Sequence, residues 1–188
     1  MGRGSGMSAP KVIPVLQGEL SVSDDPNVVL SCILGSCIAT CLFDPTARVG
    51  GMNHILLPGR KGEAVAHNKF GVFAMEALIN GLMQKGARKS NLVAKIFGGA
   101  STFENGLAIG VSNAAFVRDF LETEAIPIAA ESVGGKQARR VRFFPTTGHA
   151  KQMLTAEAVP IEAPRPPKPV QGRRPAVPPG GSGEVELF

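Results

Sequence analysis

The chain has 188 residues, 44% of them apolar and 19% charged, with a mean hydropathy of +0.11. That supports one domain with a hydrophobic core and excludes both two ordinary domains and a disordered polyelectrolyte. The formal net charge is +5, yet residues 157–188 hold four Lys/Arg and four Glu, so the excess lies entirely in the preceding part.

Residues 1–10 are Gly-rich at the start, lack the Ser or Thr at position 6 of a myristoylation signal, and read as a flexible leader. Lys11 to Val22 is extended in character, with Pro14 predicting an edge strand and Gln17-Gly18-Glu19 a turn. Val28–Leu34 and Ile38–Phe43 are runs of Val, Ile, Leu and Cys typical of buried strands, the second ended by Asp44-Pro45. Gly35-Ser36 between them predicts a tight turn that puts Cys37 at a strand entrance. Asn27 to Phe43 is uncharged but shorter than the roughly 18–20 apolar residues of a membrane helix, and Ser31, Gly35, Ser36 and Thr40 interrupt it.

Gly50 to Leu57 is a further extended run closed by Pro58-Gly59. Phe70, Phe73, Ala74, Ala77 and Leu78 then recur at helical spacing, with Gly86 as a stop, predicting a helix packed on the sheet. Leu92–Phe97 reads as a strand, and Ser112 as the cap of a second helix carrying Val117, Phe120 and Leu121. Strands are expected at Ile126–Val133, Val141–Phe144 and Met153–Val159. Several strands with two main helices give an α+β class. From residue 157 onward the chain holds eight of its 15 prolines and reads as a disordered or polyproline-like tail, so the folded domain is expected over 11–156. The closing Glu184-Val185-Glu186-Leu187-Phe188 reads either as a docking peptide on a tether or as a loose end.

Three cysteines, Cys32, Cys37 and Cys41, in an apolar stretch without an N-terminal signal segment argue against a secreted disulfide framework and for the reducing cytoplasm. Their spacing lacks the second ligand pair of a structural zinc site, so no metal is expected. The Gly98-Gly99 and Gly134-Gly135 pairs match no phosphate-binding loop. Scattered Lys and Arg, with no Tyr or Trp to stack on bases, disfavour nucleic acid and favour an acidic protein partner.

The chemistry concentrates at Leu34-Gly35-Ser36-Cys37, followed seventeen positions after the cysteine by His54 in Gly50-Gly51-Met52-Asn53-His54. A thiol needs a base to act as a nucleophile near neutral pH, and the Gly35-Ser36 turn can leave backbone N–H groups for an oxyanion. Of the three histidines, His67 reads as solvent-exposed and His149 as a turn residue, leaving His54, whose strand follows that of Cys37 and can pair with it. No carboxylate is placed to orient the imidazole, so a hydroxyl or a backbone carbonyl must do so, with Ser31 a candidate.

These segments, with Leu57-Pro58, Lys95-Ile96-Phe97-Gly98-Gly99-Ala100, Ile109-Gly110, Asn113, and Val133-Gly134-Gly135 with Arg139 or Arg140, resemble the CheD family of bacterial chemoreceptor glutamine deamidases, from about Glu19 to Met153. The resemblance implies a cytoplasmic, cofactor-free enzyme that converts glutamines of chemoreceptor helices to glutamate. Its fold would be an α/β sandwich of mixed sheets with flanking helices, similar to cytotoxic necrotizing factor type cysteine deamidases. It also implies Cys37 as nucleophile, His54 as base, and Ser31 where the family has threonine. The alternative is a non-catalytic adaptor that binds chemoreceptors or a CheC-type phosphatase. A thiol protease or transglutaminase is disfavoured by the absence of a papain-type signature.

Overall fold

The computed structural model describes residues 9–57, 64–101 and 106–155; side chains of 64–68 and 106–108 are not described. The expected leader, apart from residues 9 and 10, and the Pro-rich tail lie outside the described residues.

The strands are β1 (Lys11–Pro14), β2 (Leu20–Ser23), β3 (Val28–Leu34), β4 (Ile38–Asp44), β5 (Val49–Ile55), β6 (Val93–Gly98), β7 (Ile128–Val133), β8 (Ala138–Phe144) and β9 (His149–Thr155), and the helices are α1 (Ala64–Gln84) and α2 (Gly106–Thr123). A four-stranded sheet runs β1-β3-β8-β9 and a five-stranded sheet β2-β5-β4-β6-β7. Both are mixed: β1 lies parallel to β3 and β6 parallel to β7, while the other pairs are antiparallel. The α+β class expected from the strand and helix pattern, and the sandwich of mixed sheets that the resemblance implies, are the observed architecture.

Side-chain alternation explains the layering. On β4, Ile38 and Leu42 join Met75, Leu78 and Leu82 of α1 and Val117 and Leu121 of α2 in one apolar core. The alternate residues Cys37, Ala39 and Cys41 face Leu30, Cys32, Leu34, Val141 and Phe143 of the other sheet in a second core. Buried on both faces, β4 reads as an unbroken apolar run rather than an alternating one. The four-stranded sheet turns its other face to solvent, exposing Arg140 and Arg142.

The turn at Gly35-Ser36 carries the chain from one sheet to the other, because β3 and β4 belong to different sheets. Pro14 ends an edge strand as expected, and Gly86, at φ 95°, follows the end of α1.

Two boundaries need correction. α2 begins at Gly106, so Ser112 is an exposed residue inside the helix and not its cap. Gly106 and Gly110 obscured the helical signal in the sequence; Gly110 packs so closely on the Gly99 backbone that a Cβ there would collide with it. The last strand is His149–Thr155, earlier than Met153–Val159, and pairs with β8 through the whole of its length.

Candidate functional site

The antiparallel β4–β5 pair sets Ala39 opposite His54, and Ile38 opposite Ile55. Cys37 immediately precedes β4, on the same face as Ala39, so it is a diagonal neighbour of His54, a relation that spans about 7–8 Å between Cα atoms. On β5, Met52 and Leu56 belong to the core between the sheets, which puts His54 on that face too. Cys37 and His54 are 9% and 6% exposed, at one end of the space between the sheets.

The turn carrying Cys37 is held by its carbonyls. That of Gly35 accepts from the Ala100 N–H at 2.8 Å, that of Ser36 from Asn113 Nδ2 at 2.8 Å, and that of Cys37 from the Gly99 N–H at 2.8 Å. In a planar trans peptide the N–H points opposite to the preceding C=O, so the N–H groups of Ser36 and Cys37 are directed away from these partners. Asn113, 1% exposed, also accepts from the Leu57 N–H at 3.1 Å, linking the nucleophile turn to the end of β5 through one α2 side chain.

His54 Nδ1 lies 3.1 Å from the Val15 carbonyl. A carbonyl only accepts, so Nδ1 carries the proton and Nε2 presents its lone pair. Nε2 is buried and has no hydrogen-bond partner among the described residues. The Cys37 thiol donates to Gln17 Oε1 at 3.4 Å.

Ser31 stands elsewhere. It pairs with Arg142 on β8, and alternation with Leu30 and Cys32 puts its half-buried side chain on the face of the four-stranded sheet turned away from Cys37 and His54. Its backbone carbonyl accepts from the Val15 N–H at 2.8 Å, so it meets His54 only through the Val15 peptide. The structure therefore brings together Cys37, His54, Gly35 and Ser36, and leaves the Ser31 hydroxyl outside the group. The orienting acceptor is a backbone carbonyl, which no side-chain pattern could reveal. Asn113 was present in the motifs without a role, and Gln17 only as a turn residue.

His149 is exposed at the start of β9, its ring 5.6 Å from that of Phe144, at the opposite end of the four-stranded sheet from Leu34. His67 lies in α1 with its side chain outside the described residues. All three cysteines are free and buried, and no cluster among the described residues could hold a metal ion. No helix of the described residues is long and apolar enough to cross a membrane.

Arg139, 3% exposed and opposite Leu34, holds the end of β7 and the loop after it: its guanidinium bonds the Ser132 carbonyl and hydroxyl and the Gly134 carbonyl. The Ser101 N–H donates to the Gly135 carbonyl at 2.8 Å, joining that loop to the strand end behind Cys37.

Burial pushes the Cys37 thiol up to about 12, above its ordinary 9.0, and pulls His54 below its ordinary 6.5 against the opposing pull of the Val15 hydrogen bond and the Glu19 charge. Both groups rest neutral at pH 7. The unfolded chain takes up a proton at His54 below about pH 6.5 while the folded chain resists it, so stability falls on acidification. Between pH 9 and 12 the unfolded chain loses the Cys37 proton while the folded chain keeps it, so stability also falls on that side. Urea midpoints at pH 7.5 and 5.5 check the acid limb: His54→Asn is expected to show a smaller loss between the two than the wild type.

A family model described as "CheD chemotactic sensory transduction" matches residues 56–154. It begins just beyond His54, whereas full-length relatives span the pair. A Caulobacter sp. (strain K31) protein, 50% identical over 96% of this chain and 95% of its own length, is named "Probable chemoreceptor glutamine deamidase CheD". Proteins of the same name from Caulobacter vibrioides (strain NA1000 / CB15N) and Rhizobium meliloti (strain 1021) are 49% and 45% identical, over 94% and 96% of this chain and 92% and 98% of theirs. With a matching family model over more than half its length and relatives of this identity over nearly all of it, the chain belongs to the CheD family.

Proposed function

We propose that this chain hydrolyses the side-chain amide of selected glutamines on chemoreceptor helices, leaving glutamate and releasing ammonia, with Cys37 as nucleophile and His54 as general base and acid. The names of its relatives support the substrate class. The observation that carries the chemistry is the setting of His54 on the Cys37 face of the sheet, with Nδ1 committed to Val15 and the Nε2 lone pair left as the base.

With substrate bound, His54 Nε2 takes the thiol proton as sulfur attacks the carboxamide carbon. The neutral resting state of both groups means that the proton moves as the bond forms, not through a standing ion pair. The N–H groups of Ser36 and Cys37 receive the developing oxyanion. His54 then protonates the leaving nitrogen, ammonia departs, and a thioester remains on Cys37. Water deprotonated by His54 hydrolyses it, restoring the thiol and leaving the glutamate carboxylate.

Ser31 acts as a positioning residue through its backbone bond to Val15. Ser31→Ala is accordingly expected to change the rate by no more than about two-fold, because the backbone bond to Val15 outlasts the substitution. Arg140 and Met153, paired on the solvent face near the Leu34 end, and Leu154, 54% exposed, offer a cationic and apolar rim suited to an acidic amphipathic helix. A CheC-type phosphatase is a second expected partner.

Incubation with a receptor cytoplasmic fragment, followed by ammonia assay and peptide mass spectrometry, tests the function. Conversion of discrete glutamines to glutamate is the expected result; an unaltered fragment with no ammonia would leave the adaptor reading instead.

A further inference from the structure

The segment from Val15 to Glu19, between β1 and β2, lies over the Cys37–His54 pair. It is a turn in its own right: the Glu19 N–H donates to the Leu16 carbonyl at 2.9 Å, and Gly18 takes φ 81°. Its docking is through the main chain of His54, whose carbonyl accepts from the Gly18 N–H at 2.8 Å and whose N–H donates to the Glu19 carbonyl at 3.0 Å. Val15 meanwhile holds Nδ1 of the same residue. From this turn Gln17 reaches the nucleophile, its Oε1 accepting the thiol hydrogen of Cys37.

A glutamine carboxamide whose carbonyl oxygen rests on the sulfur is the same chemical group that the proposed reaction consumes. We propose that Gln17 fills, in the free protein, the subsite that receives the carboxamide of the substrate glutamine, so that substrate enters by displacing it. This rests on the deamidase reading above.

The arrangement also disfavours attack on Gln17 itself. Its carbonyl draws the thiol hydrogen away from His54, whose Nε2 has no partner among the described residues, so proton transfer to the base does not begin while the turn is in place. A substrate carboxamide held by the Ser36 and Cys37 N–H groups would free the thiol to turn to His54. Occupancy by Gln17 is intramolecular and raises the KM of the incoming glutamine by the fraction of time the subsite is filled.

The test uses the full chain and two readouts. The first is the rate of Cys37 alkylation by iodoacetamide, a small electrophile that itself carries a carboxamide, resolved from Cys32 and Cys41 by peptide mass spectrometry. The second is the KM and kcat for a receptor cytoplasmic fragment. Gln17→Ala, and Gln17→Met as a variant of similar bulk without the amide, are each expected to speed alkylation about five-fold and to lower KM by a similar factor, the share of one net hydrogen bond. Unchanged alkylation and KM in both variants would overturn the proposal. So would a fall in kcat at constant KM, the mark of a carboxamide that serves the transition state. Failure of the wild-type chain to convert any receptor glutamine would sink the deamidase reading and this proposal with it, whereas conversion with both variants silent sinks this proposal alone.

Discussion

Cys37→Ala is expected to lower deamidation of a receptor fragment by about 10⁴-fold or more, the scale on which loss of a covalent nucleophile acts. Folding should survive: the substitution removes one buried sulfur and its weak bond to Gln17, a cost of about 1–2 kcal/mol. The three carbonyl bonds of the Gly35–Cys37 turn belong to the backbone and persist in the variant. His54→Ala is expected to match the rate loss, since it removes the base for both half-reactions, and to cost more stability because it opens a larger cavity between the sheets. Ammonia release with urea unfolding of the same samples separates the two effects.

The second large effect is structural and lies behind the nucleophile. Gly98, the last residue of β6, has φ 117°, and a Cβ there would lie well under 3.0 Å from the Cys37 carbonyl oxygen. Gly98→Ala must therefore strain the backbone and push away the carbonyl that the Gly99 N–H holds. The expected loss is about 3–5 kcal/mol, together with a fall in kcat as the Cys37 peptide shifts. Gly86→Ala supplies the control, because Gly86 also has positive φ, at 95°, but has nothing within 4 Å. Only conformational strain applies there, about 1–2 kcal/mol, with no effect on rate. Thermal or urea unfolding reads both; a Gly98→Ala chain as stable as Gly86→Ala would refute the tight contact.

The elements legible in the sequence were those whose burial is uniform. β3 and β4 announce themselves as apolar runs because the sandwich covers them, and the Gly35-Ser36 turn locates Cys37 from glycine chemistry alone. Pairing order was much less legible. The parallel pairs β1–β3 and β6–β7 join segments separated by other elements, and no local pattern carries that information. The start of α2 was hidden by Gly106 and Gly110, and the presence of Gly110 answers to a tertiary contact with Gly99. At the site, the two side chains with distinctive chemistry could be found, and their neighbourhood followed from consecutive antiparallel strands. The group orienting His54 could not, because the Val15 carbonyl is common to every residue type. Gln17 was hidden for a related reason: in Gln17-Gly18-Glu19 the turn signal accounts for the residues before any side-chain role is needed.

Covalent catalysis at Cys37 passes through an acyl intermediate, and that intermediate can be trapped. With hydroxylamine present during turnover of a receptor fragment, a thioester partitions to a glutamyl hydroxamate at the converted positions, which peptide mass spectrometry distinguishes from glutamate. Hydroxamate at those glutamines with the wild-type chain, and none with Cys37→Ala, is the predicted result. Glutamate formed without hydroxamate, at equal rates in both chains, would contradict it.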